Sequence, residues 1–319
     1  MKSLDVSIII VSWNTRDILR NCMKSVYDKS GKVDFEVIVI DNASDDDSAE
    51  MVETNYPQAI LIKNEENRGF AVANNQGMKI AKGRYVLLLN SDTVVLEDAI
   101  AETVSFSDAH PEAAAVGCKV LNPDRTLQPT CFMFPSAVNM VLSSTYLYKV
   151  FPQSRFFGRE RMSWWDRSDT REVDVVTGCF MLVRREAIDQ VGMMDERFFM
   201  YGEETDWCYR FKKSGCKVFF TPCAQIIHFG GQSTRQRATE MILRRMGSRL
   251  LFFEKHGGRL EYATACLLIA LFFFLRVPFW LARTLVSKNN GRDCLRIAHT
   301  YVIGGFYALT GGSGLYRVR

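Results

Sequence analysis

No CxxC pair occurs anywhere in the chain, and no glycine-rich phosphate loop follows its first apolar run. The first absence excludes the common zinc ribbons and redox dithiols. Cysteines are present at 22, 118, 131, 179, 208, 216, 223, 266 and 294, but their odd number and scatter imply no disulfide framework. A reducing cytosol is expected. The second absence, of GxGxxG and GxxxxGK[ST] after VSIIIV (6–11), excludes a dinucleotide fingerprint and a P-loop. A nucleotide bound here would need side chains and a metal to hold its phosphates. Charge of one sign is lacking too. Forty Lys and Arg against 36 Asp and Glu leave a net +4 with no basic stripe, so nucleic acid is not an expected partner. VSIIIV is too short for a signal-peptide core, and folding is expected to begin with it.

What is present is alternation. Within 319 residues, 47% of them hydrophobic, the first 120 carry short apolar runs at Val6–Val11, Phe35–Ile40, Ala59–Ile62, Tyr85–Leu89 and Ala114–Val120. Most read as strands buried on both faces, the mark of a parallel sheet. Between them Ile18, Leu19, Cys22, Met23, Val26 and Tyr27 recur at helical spacing, and 71–81 forms a second helical stretch. The pattern predicts βαβ units and an open α/β sheet, with ligands beyond the carboxyl ends of its strands. Three such ends are polar: VSWNT (11–15), IDNASDD (40–46) and LNSDT (89–93). An aromatic, Pro- and Arg-rich stretch (121–172) follows, then a second ordered block to about 235. Three regions are expected: 1–120, 121–235 and 236–319.

Asp92, at the tip of the apolar run LLLNSDTVV, is placed to hold a hard divalent cation; the bland alternative is a turn or a cap on a helix starting near Glu97. Asp41 suits a base N–H, or simply an Asx turn. ENRGFAVANNQG (66–77) puts Asn67, Gly69 and Asn74 at a turn entering a helix, where amides favour anions. EETD (203–206) sits at a helix start; Asp206 with Arg210 makes an i,i+4 pair, leaving Glu203 and Glu204 as acids for proton abstraction. His228 closes the apolar run AQIIHFGG, either structurally or as a second metal ligand.

Taken in order, VSIIIVSWNT, VIDNASDD, NRGFAVANNQG, LLLNSDT, VTGCFMLVRREA, MYGEETDWCYR and IIHFGG resemble the motif series of family 2 inverting, nucleotide-sugar-dependent glycosyltransferases, nearest the bacterial rhamnosyltransferase-like branch. The resemblance covers about 5–235 and implies a GT-A fold, a Rossmann-like, mostly parallel sheet with flanking helices, here followed by a C-terminal apolar helical segment. It implies Mg²⁺ or Mn²⁺ held by Asp92 and His228, with Asn90 standing where the family's metal motif begins with Asp. It further implies a donor site of Ser12, Asn14, Asp41, Asn67, Gly69, Asn74, Asn90, Ser91 and Asp92. Glu204 matches the catalytic base, as Glu where the family has Asp, with Glu203 beside it. The donor would be a dTDP- or UDP-linked sugar. The acceptor, a glycan or polyprenyl-linked glycan, would meet Trp164, Trp165, Gly178 and Asp206. A nucleotidyltransferase and a catalytically silent sugar- or nucleotide-binding protein are the rival readings.

The uncharged run YATACLLIALFFFL (262–275) falls short of the roughly 20 residues a span needs. With Arg276 included it reaches that length marginally. Pro278 and the basic Arg283, Lys288, Arg292 and Arg296 predict a helix or hairpin lying on a membrane surface over 262–296. The expected location is the cytoplasmic face of the cell membrane; a buried core helix is the alternative.

Overall fold

The computed structural model describes residues 4–231, 238–286 and 291–311. They form two compact units. One comprises Met1–Phe134, Arg161–Glu196 and Glu203–Ser233; the other Pro135–Glu160, Arg197–Gly202 and Thr234–Arg319. Segments 135–160 and 197–202 belong to the same unit as the C-terminal helices.

The first unit holds β1 (Val6–Ser12), α1 (Arg16–Lys29), β2 (Phe35–Asp41), α2 (Ser48–Asn55), β3 (Ile60–Lys63), α3 (Phe70–Ile80), β4 (Tyr85–Asn90), β5 (Thr93–Val95), α4 (Ala99–Ala109), β6 (Ala113–Leu121), β7 (Leu127–Gln128) and β8 (Cys131–Phe132). α5 (Ala137–Ser144) and α6 (Leu147–Val150) belong to the second unit. The first then resumes with β9 (Arg171–Glu172), β10 (Val175–Val176), β11 (Phe180–Arg184), α7 (Arg185–Val191), α8 (Glu203–Lys213) and β12 (Lys217–His228). The second closes with α9 (Ala238–His256), α10 (Arg259–Phe274), α11 (Val277–Val286) and α12 (Gly291–Leu309).

The main sheet runs β3-β2-β1-β4-β11-β6-β12-β5. β3, β2, β1 and β4 are mutually parallel, β11 is antiparallel to both β4 and β6, and β12 is parallel to β6. Strand periodicity assigns the side chains to two layers. Ile8 and Ile10 face Leu19, Met23 and Ile100 of α1 and α4, whereas Ile9 and Ile38 face Ala71, Met78 and Trp207 of α3 and α8. Both faces are covered, so the central strands are apolar at nearly every position; Ser7 of β1, an exception, donates to Glu36 of β2. A Cβ at Gly77 would come within 2.8 Å of Ile9, which is how α3 lies close on the sheet.

The second unit gathers Leu243, Leu250, Phe253, Ile269, Phe273 and Tyr301 around Met140 of α5. A Cβ at Gly304 would meet the Phe273 ring at 2.9 Å, so α12 approaches α10 where side chains are missing. Arg259–Thr284 is the one stretch among the described residues long and apolar enough to cross a membrane. It is notched at 275–276, just before Pro278, which has no N–H to continue the ladder. Arg276 at the notch turns back on its own unit, donating to Phe272 O (2.9 Å) and Ser144 O (2.7 Å).

Candidate active site

β1, β2 and β4 end together, as the register Ser12↔Asp41 and Val11↔Asn90 requires. Beyond those ends lies a polar floor. Ser12 Oγ meets Thr15 Oγ1 at 3.0 Å, and Thr15 meets Ser91 Oγ at 3.2 Å. Asn14, in a left-handed conformation (φ 53°), accepts from Asp45 N at 2.7 Å, while its own N–H donates to Ser44 Oγ. Asp46 accepts from Arg16 N at 2.8 Å and so caps α1. The Ser12, Asn14 and Ser91 side chains expected on the donor thus brace the loops that shape the crevice.

A second web holds the turn into α3. Asn42 Nδ2 donates to Asn67 Oδ1 (3.1 Å) and Gly69 O (3.2 Å), and Asn42 Oδ1 accepts from Asn64 and Arg68 N. Asn67 also accepts from Gly69 N, and Gly69 has φ +80°, which needs glycine. Asn74 donates to Phe70 O one turn back. Asn67 and Asn74, both donor-site candidates, thus also hold the backbone of this turn. Asn75, which the sequence reading passed over, clamps the 194–196 segment: it donates to Met194 O and Glu196 Oε1 and accepts from Met194 N.

Asp41 is different. Its Oδ2 accepts from Ser44 N at 3.1 Å, the expected Asx turn. Its Oδ1 is buried with no partner, in a residue 5% exposed. A carboxylate oxygen withdrawn from water and left without a donor is costly unless a ligand supplies one.

Asp92 does not cap a helix; β5 intervenes before α4. It is 7% exposed, and its Oδ1 stands 3.1 Å from His228 Nε2. β12 runs antiparallel to β5 with His228 opposite Thr93, which carries the imidazole to the β4 end. Asn90 Nδ2 lies 3.4 Å from the same nitrogen. No cluster of three or more His, Cys, Asp or Glu with metal-ligand geometry occurs among the described residues, so the protein offers this pair and little else. Two adjacent ligands of an octahedral ion at about 2.1 Å stand about 3 Å apart, and such ions complete their shells with phosphate and water. The donor set fits Mg²⁺ or Mn²⁺. The nearby thiols do not compete: burial above all, and the Asp92 charge, push Cys22 and Cys179 up to about 12.

β11 runs antiparallel to β4, and Asn90 N donates to Cys179 O at 3.1 Å, which sets Gly178 beside the β4 end. A Cβ at Gly178 would meet the Phe70 ring at 3.2 Å, so glycine lets this turn lie against the start of α3. α8 packs on β10, next to that turn. Its first turn carries Glu203, Glu204 and Asp206, and its last Arg210, Lys212 and Lys213, matching the helix dipole. Glu203 is buried with Oε2 unpartnered. Burial, then the Glu204 charge, raise its carboxyl well above the ordinary range. Glu204 is half-buried beside it.

The remaining acceptor-side candidates each have partners within the protein. Asp206 is wholly buried and pairs with Arg210 Nε at 2.9 Å, and Arg210 donates on to Val191 O and Met193 O. Trp165 is core, edge-on to Phe220 with centroids 4.9 Å apart. Trp164 is half-buried under the Arg171 guanidinium at 5.2 Å. Thr15, Asn42, Asn75, Asn122 and Gln128 are the residues that sequence reasoning did not assign. Asn42 had a local signal, its place directly after Asp41, and Asn122 bonds residues of its own hairpin; Thr15, Asn75 and Gln128 reach partners distant in sequence.

The family model described as glycosyl transferase family 2 matches residues 7–192. An N-acetylglucosaminyl-diphospho-decaprenol L-rhamnosyltransferase of Mycobacterium tuberculosis is 26% identical over 234 residues, 70% of this chain and 76% of that protein. A low-salt glycan biosynthesis hexosyltransferase of Haloferax volcanii is 23% identical over 86% of this chain and 85% of its own length. A mannosyltransferase from Pyrobaculum calidifontis, solved with GDP-Man and Mn²⁺, superposes with a TM-score of 0.56 at 14% identity, covering 98% of this chain and 86% of that one. The superposition extends the resemblance of the sheet to the GT-A fold. With the family model spanning more than half of its length, the chain belongs to glycosyl transferase family 2.

Proposed function

We propose that this glycosyltransferase moves a hexose, rhamnose or a related sugar, from a dTDP- or UDP-linked donor to a hydroxyl of a lipid-linked glycan, with inversion and with a divalent cation. The observation that carries the reading is the Asp92 Oδ1–His228 Nε2 pair, 3.1 Å apart at the end of β4. The M. tuberculosis relative, a rhamnosyltransferase by name, supports the sugar and the polyprenyl-linked acceptor. The manganese in the P. calidifontis structure supports the cation.

Asp92 and His228 would hold Mg²⁺ or Mn²⁺. A bound ion supplies Lewis-acid stabilisation of the charge on the departing group. Asp41 Oδ1 accepts the imide N–H of uracil or thymine, a donor that cytosine and adenine lack. Glu204 receives the proton of the acceptor hydroxyl as that oxygen attacks the anomeric carbon. The carbon–oxygen bond to the diphosphate breaks with its electron pair leaving on the nucleotide. One displacement from the opposite face inverts the centre. Glu203, held neutral by burial, stays out of proton abstraction.

The second unit supports a membrane setting. Among the described residues, every exposed large hydrophobic side chain except Ile60, Ile80 and Phe229 belongs to it. Leu267, Leu271, Leu275, Phe279 and Leu281 lie in Arg259–Thr284, with Arg283 and Arg296 beyond the notch. Such a surface lies in the headgroup region, basic residues toward anionic lipid, on the cytoplasmic face where nucleotide sugars are available.

The test is a panel of NDP-sugars with Mg²⁺ or Mn²⁺, scored by thermal stabilisation and by NDP release. Stabilisation by one nucleotide class with NDP release is expected. No stabilisation by any donor, with the protein folded, overturns the donor site; pyrophosphate release from an NTP overturns the reaction class.

A further inference from the structure

Asp92 Oδ1 and His228 Nε2 are 3.1 Å apart, and what that contact does depends on which imidazole nitrogen carries the proton. Opposite them, His228 Nδ1 lies 2.6 Å from Gln128 Oε1. The polarity of that bond is set from outside the pair. Thr126 Oγ1 gives its proton to Asp124 Oδ1 at 2.6 Å, so toward Asn122 it acts as an acceptor. Asn122 Nδ2 donates to Thr126 Oγ1 at 2.9 Å and to Leu127 O at 3.4 Å, which turns Asn122 Oδ1 toward Gln128. Gln128 Nε2 then donates to Asn122 Oδ1 (2.8 Å) and to His228 O (3.1 Å). Rotating the Gln128 amide would set its oxygen against two acceptors and its NH₂ against the imidazole. One carboxylate and two backbone carbonyls therefore leave Gln128 Oε1 facing Nδ1, which must be the protonated nitrogen.

We propose that Gln128 is a positioning residue that locks His228 in its Nδ1–H tautomer, keeping the Nε2 lone pair aimed at Asp92 as a ready ligand for a divalent cation. The assignment rests on the proposed cation site. Without the lock, the neutral imidazole prefers the other tautomer, in which Nε2–H donates to the Asp92 carboxylate. That internal bond occupies both ligands at once. The β6–β7 hairpin, otherwise far from the chemistry in sequence, thus keeps the Asp92–His228 pair open to metal. A metal-bound imidazole typically has its other N–H held in this way, and losing that partner typically weakens metal affinity about 10- to 100-fold.

The test is the imidazole itself, read by ¹⁵N–¹H correlation on histidine-labelled protein without metal, beside Mn²⁺ titration by electron paramagnetic resonance in the presence of UDP or dTDP. The neutral wild-type His228 ring should carry its proton on Nδ1. Gln128→Met, similar in volume but with neither amide group, should move the proton to Nε2 and weaken Mn²⁺ binding by about 10- to 100-fold. Gln128→Glu still accepts from Nδ1–H but sets its second oxygen against Asn122 Oδ1 and His228 O, so it should lower the melting temperature while keeping the tautomer and holding Mn²⁺ within a few-fold of wild type. A wild-type ring protonated on Nε2 overturns the lock with no variant needed. Wild-type Mn²⁺ binding that Gln128→Met leaves unchanged overturns it as well, with the cation site intact. Failure of the wild type to bind Mn²⁺ at all overturns the cation site, and the lock's purpose with it.

Discussion

His228 Nε2 and Asp92 Oδ1 stand 3.1 Å apart although 135 residues lie between them in the chain. That spacing suits two neighbouring ligands of one divalent cation. Asp92→Asn leaves the shape and removes the charge. Turnover should fall about 100-fold or more, with a matching loss of Mn²⁺ binding. Asn90→Asp, which restores the acid of the family's motif, should retain activity. Steady-state rates across a Mn²⁺ series decide both.

Asp41 separates turn from ligand within one side chain. Asp41→Asn keeps an oxygen for Ser44 N and sets an NH₂ where Oδ1 was open. Two donors would then face each other in the loaded site. Affinity for UDP or dTDP should fall by about 1–3 kcal/mol, or about 10- to 100-fold, with little change in melting temperature. Calorimetric titration of the nucleotide measures it.

Glu203 and Glu204 should part under conservative substitution. Glu204→Gln should suppress kcat while donor binding persists; Glu203→Gln should leave kcat nearly unchanged, since a neutral amide replaces a neutral acid. Stability carries a second signature. Burial raises the folded-state Glu203 value, so the folded protein holds this proton more tightly than the unfolded chain. The stability it contributes is complete below the ordinary value of about 4.3, and is lost as pH rises through the raised folded value. The melting temperature of the wild type relative to Glu203→Gln should therefore decline as pH rises above the ordinary carboxylate range.

Arg210 neutralises a wholly buried Asp206 and ties down the carbonyls of 191 and 193. Arg210→Met strands that carboxylate. A loss of about 3–5 kcal/mol is expected by urea denaturation, and the double variant with Asp206→Leu should recover part of it.

Membrane attachment should follow the exposed apolar face of the second unit. Leu271→Glu combined with Phe279→Glu removes apolar area from that face without touching the unit's core. Binding to vesicles containing anionic lipid should drop in a sedimentation assay, and NDP release from donor in detergent should persist. Truncation near 240 is a poorer test, because it deprives α5 of the helices it packs on.

The amino-acid sequence by itself determined the sheet and its reading direction. Val6–Val11, Phe35–Ile40 and Tyr85–Leu89 emerged as strands within a residue of their ends, because strands buried on both faces are predominantly apolar. It also located the acids at the strand ends, since a lone carboxylate closing such a run is legible without coordinates. Tertiary structure alone decided what each polar side chain does. Ser12, Asn14, Asn67 and Asp206 look the same in sequence as Asp41 and Asp92. Only the folded chain supplies the partners that satisfy the first four and leave Asp41 Oδ1 open. Gln128 shows the limit most plainly: its meaning lies 100 residues away at His228, across a contact that no local pattern encodes.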